Sequence, residues 1–203
     1  REPVVIVGHS LGALVGLTAA AARPELVKAL VLAPLQDPAL LKSRPRRRPC
    51  CRPWQRLVVI LQRWLTPWRL ILWLFSRPWV LGRGLRGAYT QRHRVDQAIL
   101  RLFARPCRRP GAAGSLAGMT MGMAARPPQA TAPELLRRIT CPVLALRGRE
   151  DRLAPQAMAK AVAKLRPDWP LQVLENCGHC PHDEDPKRFN GMVLAWLRET
   201  FPA

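Results

Sequence analysis

Three side chains in this sequence have the types and the setting for acyl transfer. Ser10 lies in Gly8-His9-Ser10-Leu11-Gly12, directly after the apolar run Val4 to Val7, and Asp151 and His179 follow far downstream in that order. A serine hydroxyl is a weak nucleophile until a base takes its proton, and the base needs a carboxylate to orient it. A sharp turn between a strand and a helix would project Ser10 above a sheet. Side chains two before and two after would crowd the backbone, so Gly8 and Gly12 are both expected to be required. The helix beginning there aims its N–H groups and dipole at a developing oxyanion, with the backbone N–H of Leu11 as one donor. Glu150 and Asp37 compete with Asp151 for the role of acid, and His182 competes with His179 for that of base.

A second cluster, Cys177-Gly178-His179-Cys180-Pro181-His182, admits two other chemistries. A thioredoxin-like dithiol should open a helix early in its domain, yet here only 23 residues follow Cys180 and a proline comes next. Zinc needs ligands that converge, and three of them within four residues strain a tetrahedron. One histidine on a loop, turned by Gly178 and flanked by two incidental cysteines, is the better reading. Neither a metal nor a cofactor is expected, and Cys177→Ser with Cys180→Ser should leave activity largely intact.

The elements needed to position these groups are legible. Val4 to Val7 is a β-branched run of the kind found in a strand buried on both faces, and the Ala/Leu-rich stretch after it reads as a helix stopped at Arg23-Pro24. A second strand over Leu30 to Ala33 completes a βαβ unit with a parallel sheet. Further on, a short helix over Pro133 to Ile139, a strand over Pro142 to Leu146, a helix over Gln156 to Leu165, a strand in Pro170 to Glu175 and a closing helix are expected. Ser10, Asp151 and His179 all fall just beyond strand C-terminal ends, where functional residues collect in open α/β sheets.

Between these halves the chain changes character. Residues 37–53 read as a loop, with Arg44 to Pro49 its most basic run. Residues 54–104 have apolar residues at helical spacing and hold five of the seven tryptophans, and 105–133 are Gly/Pro/Ala/Met-rich, with one short helix around 115–124. Leu57 to Phe75 is long enough to suggest a membrane span, but Arg63, Pro67 and Arg69 interrupt it. The division expected is a core part over 1–36, a loop and helical lid over 37–133, and a second core part over 134–203. His9, Trp64, Trp68 and Trp73 are the candidate substrate contacts, in an apolar entrance suited to a hydrophobic small-molecule ester.

The 203 residues carry 33 Lys and Arg against 13 Asp and Glu, a formal charge of +20. No basic run is interleaved with aromatics in a nucleic-acid-binding pattern, so no nucleic-acid partner is expected, and peripheral membrane contact through the Trp/Arg-rich lid stays open as the lesser alternative. The scattered cysteines do not read as a disulfide framework. The start inside an apolar strand reads as a cut through a domain. A second oxyanion donor and further strands are therefore expected upstream of Arg1, and the chain alone should be poorly soluble and weakly active.

Gly8 to Gly12, the aromatic-rich insertion, "CPVLALRGREDRLAP" and "GHCPHDEDPKRFNGMVLAWL" together resemble the second half of an α/β-hydrolase-fold protein, over nearly the whole chain. The resemblance implies an α/β fold with a mostly parallel sheet, flanking helices and a helical cap, and a catalytic Ser10–His179–Asp151 set. Within that superfamily the His loop and the Trp/Arg-rich cap are similar to plant and algal pheophytinase-like proteins. That similarity implies hydrolysis of a hydrophobic ester in the chloroplast; the group often has Asn where this chain has His9.

Overall fold

The computed structural model describes residues 2–41 and 66–202. The run Arg44 to Pro49, Trp54 and Trp64 lie outside the described residues. Two compact units are present: residues 2–41, 87–92 and 129–202 form one, and residues 66–86 and 93–128 form the other.

The first unit is built on four parallel strands in the order β1-β2-β3-β4: β1 Val4–Ser10, β2 Val27–Leu35, β3 Val143–Gly148 and β4 Leu171–Leu174. Helix α1 (Leu11–Ala22) leads from β1 to β2 and ends where Pro24 cannot continue it. The period-two alternation of β2 sends Leu30 and Leu32 to one face and Ala29, Val31 and Ala33 to the other. The first set packs with Leu14 and Leu17 of α1, Leu135 and Leu136 of α6 (Ala132–Leu136) and Met158 of α7 (Gln156–Leu165). The second meets Phe189, Val193 and Trp196 of α9 (Pro186–Thr200). Covered on both faces, β2 and β3 are buried along nearly their whole length.

Two expectations change here. Strand β2 runs beyond Leu30 to Ala33 at both ends, because its ladder with β1 extends from Val27 to Leu35. Strand β1 is not buried on both faces: among the described residues it pairs only with β2, and Val4, Val5 and Val7 are 55, 37 and 54% exposed. The β-branched run identified a strand correctly, but among the described residues the faces that carry Val4, Val5 and Val7 are only partly covered.

The second unit is helical, holding α2 (Trp68–Phe75), most of α3 (Pro78–Ala88), α4 (Gln97–Cys107) and α5 (Ala112–Ala124). Asp96 caps α4 by accepting from the Ile99 N–H. Helix α5 starts three residues before the expected 115, after Gly111 at φ 80°, a left-handed turn that suits glycine. Among the described residues no helix is long and apolar enough to cross a membrane.

Candidate active site

Ser10 occupies the turn between β1 and α1 with φ 53° and ψ −114°, a conformation costly for a residue with a Cβ. No side chain caps α1, so the N–H groups of its first turn, Leu11 included, have no partner within the helix. A Cβ on Gly8 would lie 2.7 Å from Ala13 Cα and from Gly12 O, so this glycine is required by space. Gly12 is not: among the described residues a Cβ there would meet nothing within 4 Å. The expectation of two equally required glycines holds for the first only, because α1 folds back over Gly8 while the Gly12 Cβ direction is open.

The carboxylate and imidazole come from the loops after β3 and β4. The Nδ1–H of His179 donates to Asp151 Oδ2 at 3.0 Å and Oδ1 at 3.1 Å, and both side chains are buried. Asp151 Oδ1 also accepts from the N–H groups of Leu153 and Ala154, each at 2.8 Å. Burial pushes the Asp151 pKa up, but the His179 and backbone hydrogen bonds outweigh it and leave the carboxyl below its ordinary range. With Nδ1–H committed to Asp151, the basic lone pair of a neutral His179 is on Nε2.

These loops reach one place because glycines let their backbones touch. A Cβ on Gly148 would sit 2.1 Å from Gly178 O, and one on Gly178 would sit 2.4 Å from Ala88 O. Gly178 therefore serves close approach rather than an unusual turn; the left-handed residue of this loop is Asn176, at φ 61°. The segment 87–92 braces the loop: Ala88 O accepts from the His179 N–H at 2.8 Å, and Tyr89 donates to Asp183 at 2.7 Å. The fully buried Glu184 accepts from the N–H groups of Thr90, Gln91 and Gly178.

Ser10 and His179 are linked by a circuit of polar contacts. The Nε2–H of His9 donates to His179 O at 2.9 Å, tying the residue before Ser10 to the histidine's backbone. On the other side, β-ladder register places Ser10 opposite Leu35, so Gln36 stands next to it. Ser10 Oγ donates to Gln36 Oε1 at 3.0 Å, and Gln36 Nε2 donates to Leu153 O at 2.9 Å, two residues from Asp151. Among the described residues no hydrogen bond joins Ser10 to His179.

The competing residues are otherwise engaged. Asp37 is fully buried and accepts from the Ala39 and Ala132 N–H groups, which fixes the chain after β2. Glu150 accepts from the Cys177 N–H. The His182 ring stacks edgewise on those of His9 and Phe189, and among the described residues its buried Nδ1 has no hydrogen-bond partner. Burial pushes the Cys177 thiol up to about 11 and the Cys180 thiol up to about 12, opposite to an activated dithiol. Trp68 and Trp73 belong to α2, in the helical unit.

The alpha/beta hydrolase family model matches residues 1–192. The chain belongs to that family. Among curated relatives of this chain, the chloroplastic pheophytinase of Arabidopsis thaliana is 28% identical over 201 residues, 97% of this chain and 41% of its own length. The putative carbamate hydrolase RutD of Pseudomonas savastanoi pv. phaseolicola is 27% identical over 94% of this chain and 66% of its own. The chain thus spans 41 to 66% of the length of these two relatives. Similar solved folds include an esterase from Thermogutta terrifontis, with TM-score 0.63 and 21% identity over 98% of this chain and 66% of its own. A 2-hydroxy-6-oxo-6-phenylhexa-2,4-dienoate hydrolase from Rhodococcus sp. gives 0.64 and 21% over 97% and 64%.

Sequence reasoning did not single out Gln36 or Glu184. Gln36 carries no motif, and only strand register shows it beside Ser10. Glu184 sat in an acidic run, "HDEDP", that looks solvated in one dimension.

Proposed function

We propose that this hydrolase cleaves a hydrophobic carboxylic ester through an acyl-enzyme, with Ser10 as nucleophile, His179 as base and Asp151 as orienting acid. The observation that carries the reading is the two-oxygen grip of Asp151 on His179 Nδ1, which leaves Nε2 as the basic nitrogen. Ser10 Oγ forms a bond to the ester carbonyl carbon while its proton passes to His179 Nε2. The carbonyl π electrons move onto oxygen, where the Leu11 N–H is the donor on this chain. Collapse expels the alcohol, protonated by His179, and water deprotonated by the same nitrogen releases the acid. No metal or cofactor takes part.

For the substrate, the pheophytinase-like motifs and a relative bearing that name support a long-chain or ring-bearing ester such as a phytol ester. The same relative supports a chloroplast location, which imaging of a fluorescent fusion would test. His9 is assigned to holding the His179 loop rather than to substrate. A relative named a putative carbamate hydrolase supports a second reading, cleavage of a carbamate-type C–N bond at the same three residues.

The test is labelling by a fluorophosphonate probe, followed by turnover of p-nitrophenyl esters and of a matched carbamate. An adduct on Ser10 that disappears in Ser10→Ala and forms far more slowly in His179→Ala is expected, with the ester preferred. Absence of any adduct in the wild-type protein would favour a non-catalytic relic of the fold.

A further inference from the structure

Helix α2 turns its two sides to different surroundings. It packs against α5, and Trp68, Ile71 and Leu72 are half-buried, yet none of its residues is fully buried. The other side presents Leu70, Trp73 and Leu74 at helical spacing, 58, 52 and 41% exposed. Phe75 and, at the start of α3, Trp79 extend this apolar surface at 56 and 70% exposure. A soluble unit gains nothing by holding two tryptophans and a phenylalanine in water.

What surrounds that surface is basic throughout. A cleft of ≈ 800 Å³ beside it is lined by Arg69, Arg77, Arg108 and Arg109, with no acidic residue among the described residues of its wall. The Arg77 guanidinium lies 3.7 Å over the Trp73 ring, so cation and aromatic face are presented together. Among the described residues of this helical unit, ten arginines stand against one acid, Asp96, and Asp96 is used in capping α4.

We propose that the face formed by α2 and the start of α3 docks onto a lipid bilayer bearing anionic headgroups. Tryptophan and phenylalanine enter the headgroup–acyl boundary, where an amphipathic ring is favoured, while the flanking arginines reach headgroup phosphates. The charge pattern selects this occupant. A second copy of the chain would press arginines against arginines, and an acidic protein would satisfy the cations while doing less for five exposed apolar side chains. The mode is surface adsorption, and it does not depend on the catalytic reading above.

The test is co-sedimentation of the whole protein with phosphatidylcholine vesicles containing or lacking phosphatidylglycerol. Binding to the anionic vesicles, weakened by salt, is expected. Because a chain this basic adsorbs to anything anionic, the variants decide. Trp73→Ser with Trp79→Ser should lower the partition coefficient severalfold at unchanged charge. Arg108→Gln with Arg109→Gln should lower it by about fivefold per arginine. Lys160→Gln with Lys164→Gln removes as much charge from exposed α7 positions of the other unit and should change it less than twofold. Circular dichroism checks that each variant is folded. Undiminished binding by a folded Trp double variant, an equal loss in the Lys pair, or binding to soluble poly-glutamate in place of vesicles would overturn the proposal.

Discussion

The hydroxyl of Ser10 donates to Gln36 Oε1 at 3.0 Å, and the direction of that bond is fixed by a third group. Gln36 must turn its Nε2 toward the Leu153 carbonyl, which can only accept, so its oxygen faces Ser10. The serine proton is therefore held away from the imidazole, and in the proposed reaction attack requires this bond to break first. A neutral hydrogen bond is worth about 0.5–1.5 kcal/mol net. Gln36→Met should accordingly raise the rate of fluorophosphonate labelling at Ser10 by roughly two- to tenfold. A slower rate with unchanged melting temperature would mean that Gln36 assists the nucleophile instead of detaining it.

Three glycines near the site differ sharply in what they tolerate. Gly148→Ala places a Cβ 2.1 Å from one carbonyl oxygen and 2.2 Å from another, and both belong to backbone that cannot swing aside. Gly178→Ala drives against Ala88 O at 2.4 Å. Each should cost at least about 3 kcal/mol, the upper part of the range for overpacked sites, and should separate His179 from Asp151. Gly12→Ala, at an open helical position, should be neutral or gain up to about 1 kcal/mol from helix propensity. Urea unfolding of the three variants checks the ranking, which fails if Gly12→Ala is the most damaging.

The same glycines mark what one dimension could and could not reveal. A strand before a Gly-flanked serine, and an acid and a histidine each in a loop after an apolar run, made Ser10, Asp151 and His179 legible as candidates, and the Asp151–His179 contact is what the structure adds. Leu30, Leu32, Val143 and Leu144 announced central strands by composition. Crowding at Gly148 was not legible, since its neighbours Cys177 and Gly178 are about 30 residues away and meet it only across the β3–β4 ladder. Gln36 was missed for the same reason, and Gly12 was overread because a symmetric motif suggested a symmetric constraint. The exposure of β1 was hidden because a β-branched run specifies a strand, while its place in the sheet depends on its neighbours.

His9 and His182 give the fold a pH dependence. Burial lowers the pKa of each below the ordinary 6.5, with neighbouring imidazoles adding to the effect. Above about pH 6.5 native and unfolded chains both hold these rings neutral, and their contribution to stability is fully present. Below it the unfolded chain binds protons that the native rings refuse, so stability falls until the native pKa values are reached. The slope is less than about 1.4 kcal/mol per pH unit for each ring, since both are partly open to solvent. Melting temperatures between pH 7.5 and 5.5 should decline in the wild type and decline less in His182→Gln. Equal declines would remove His182 from this account.

Asp151→Asn separates the orienting role proposed for this carboxylate from its structural one. Oδ1 accepts from two backbone N–H groups and Oδ2 faces His179 Nδ1, so an asparagine that keeps its oxygen on the backbone must turn its NH₂ toward the imidazole. Nδ1 must then accept, and the ring proton moves to Nε2. No lone pair is left to take the serine proton, although every heavy atom stays in place. Loss of the matching carboxylate elsewhere lowers turnover by about 10⁴, and a drop of that order is expected here with a melting temperature within a few degrees of wild type. Turnover reduced less than tenfold would exclude Asp151 as the orienting acid, and Glu150→Gln would become the next substitution to measure.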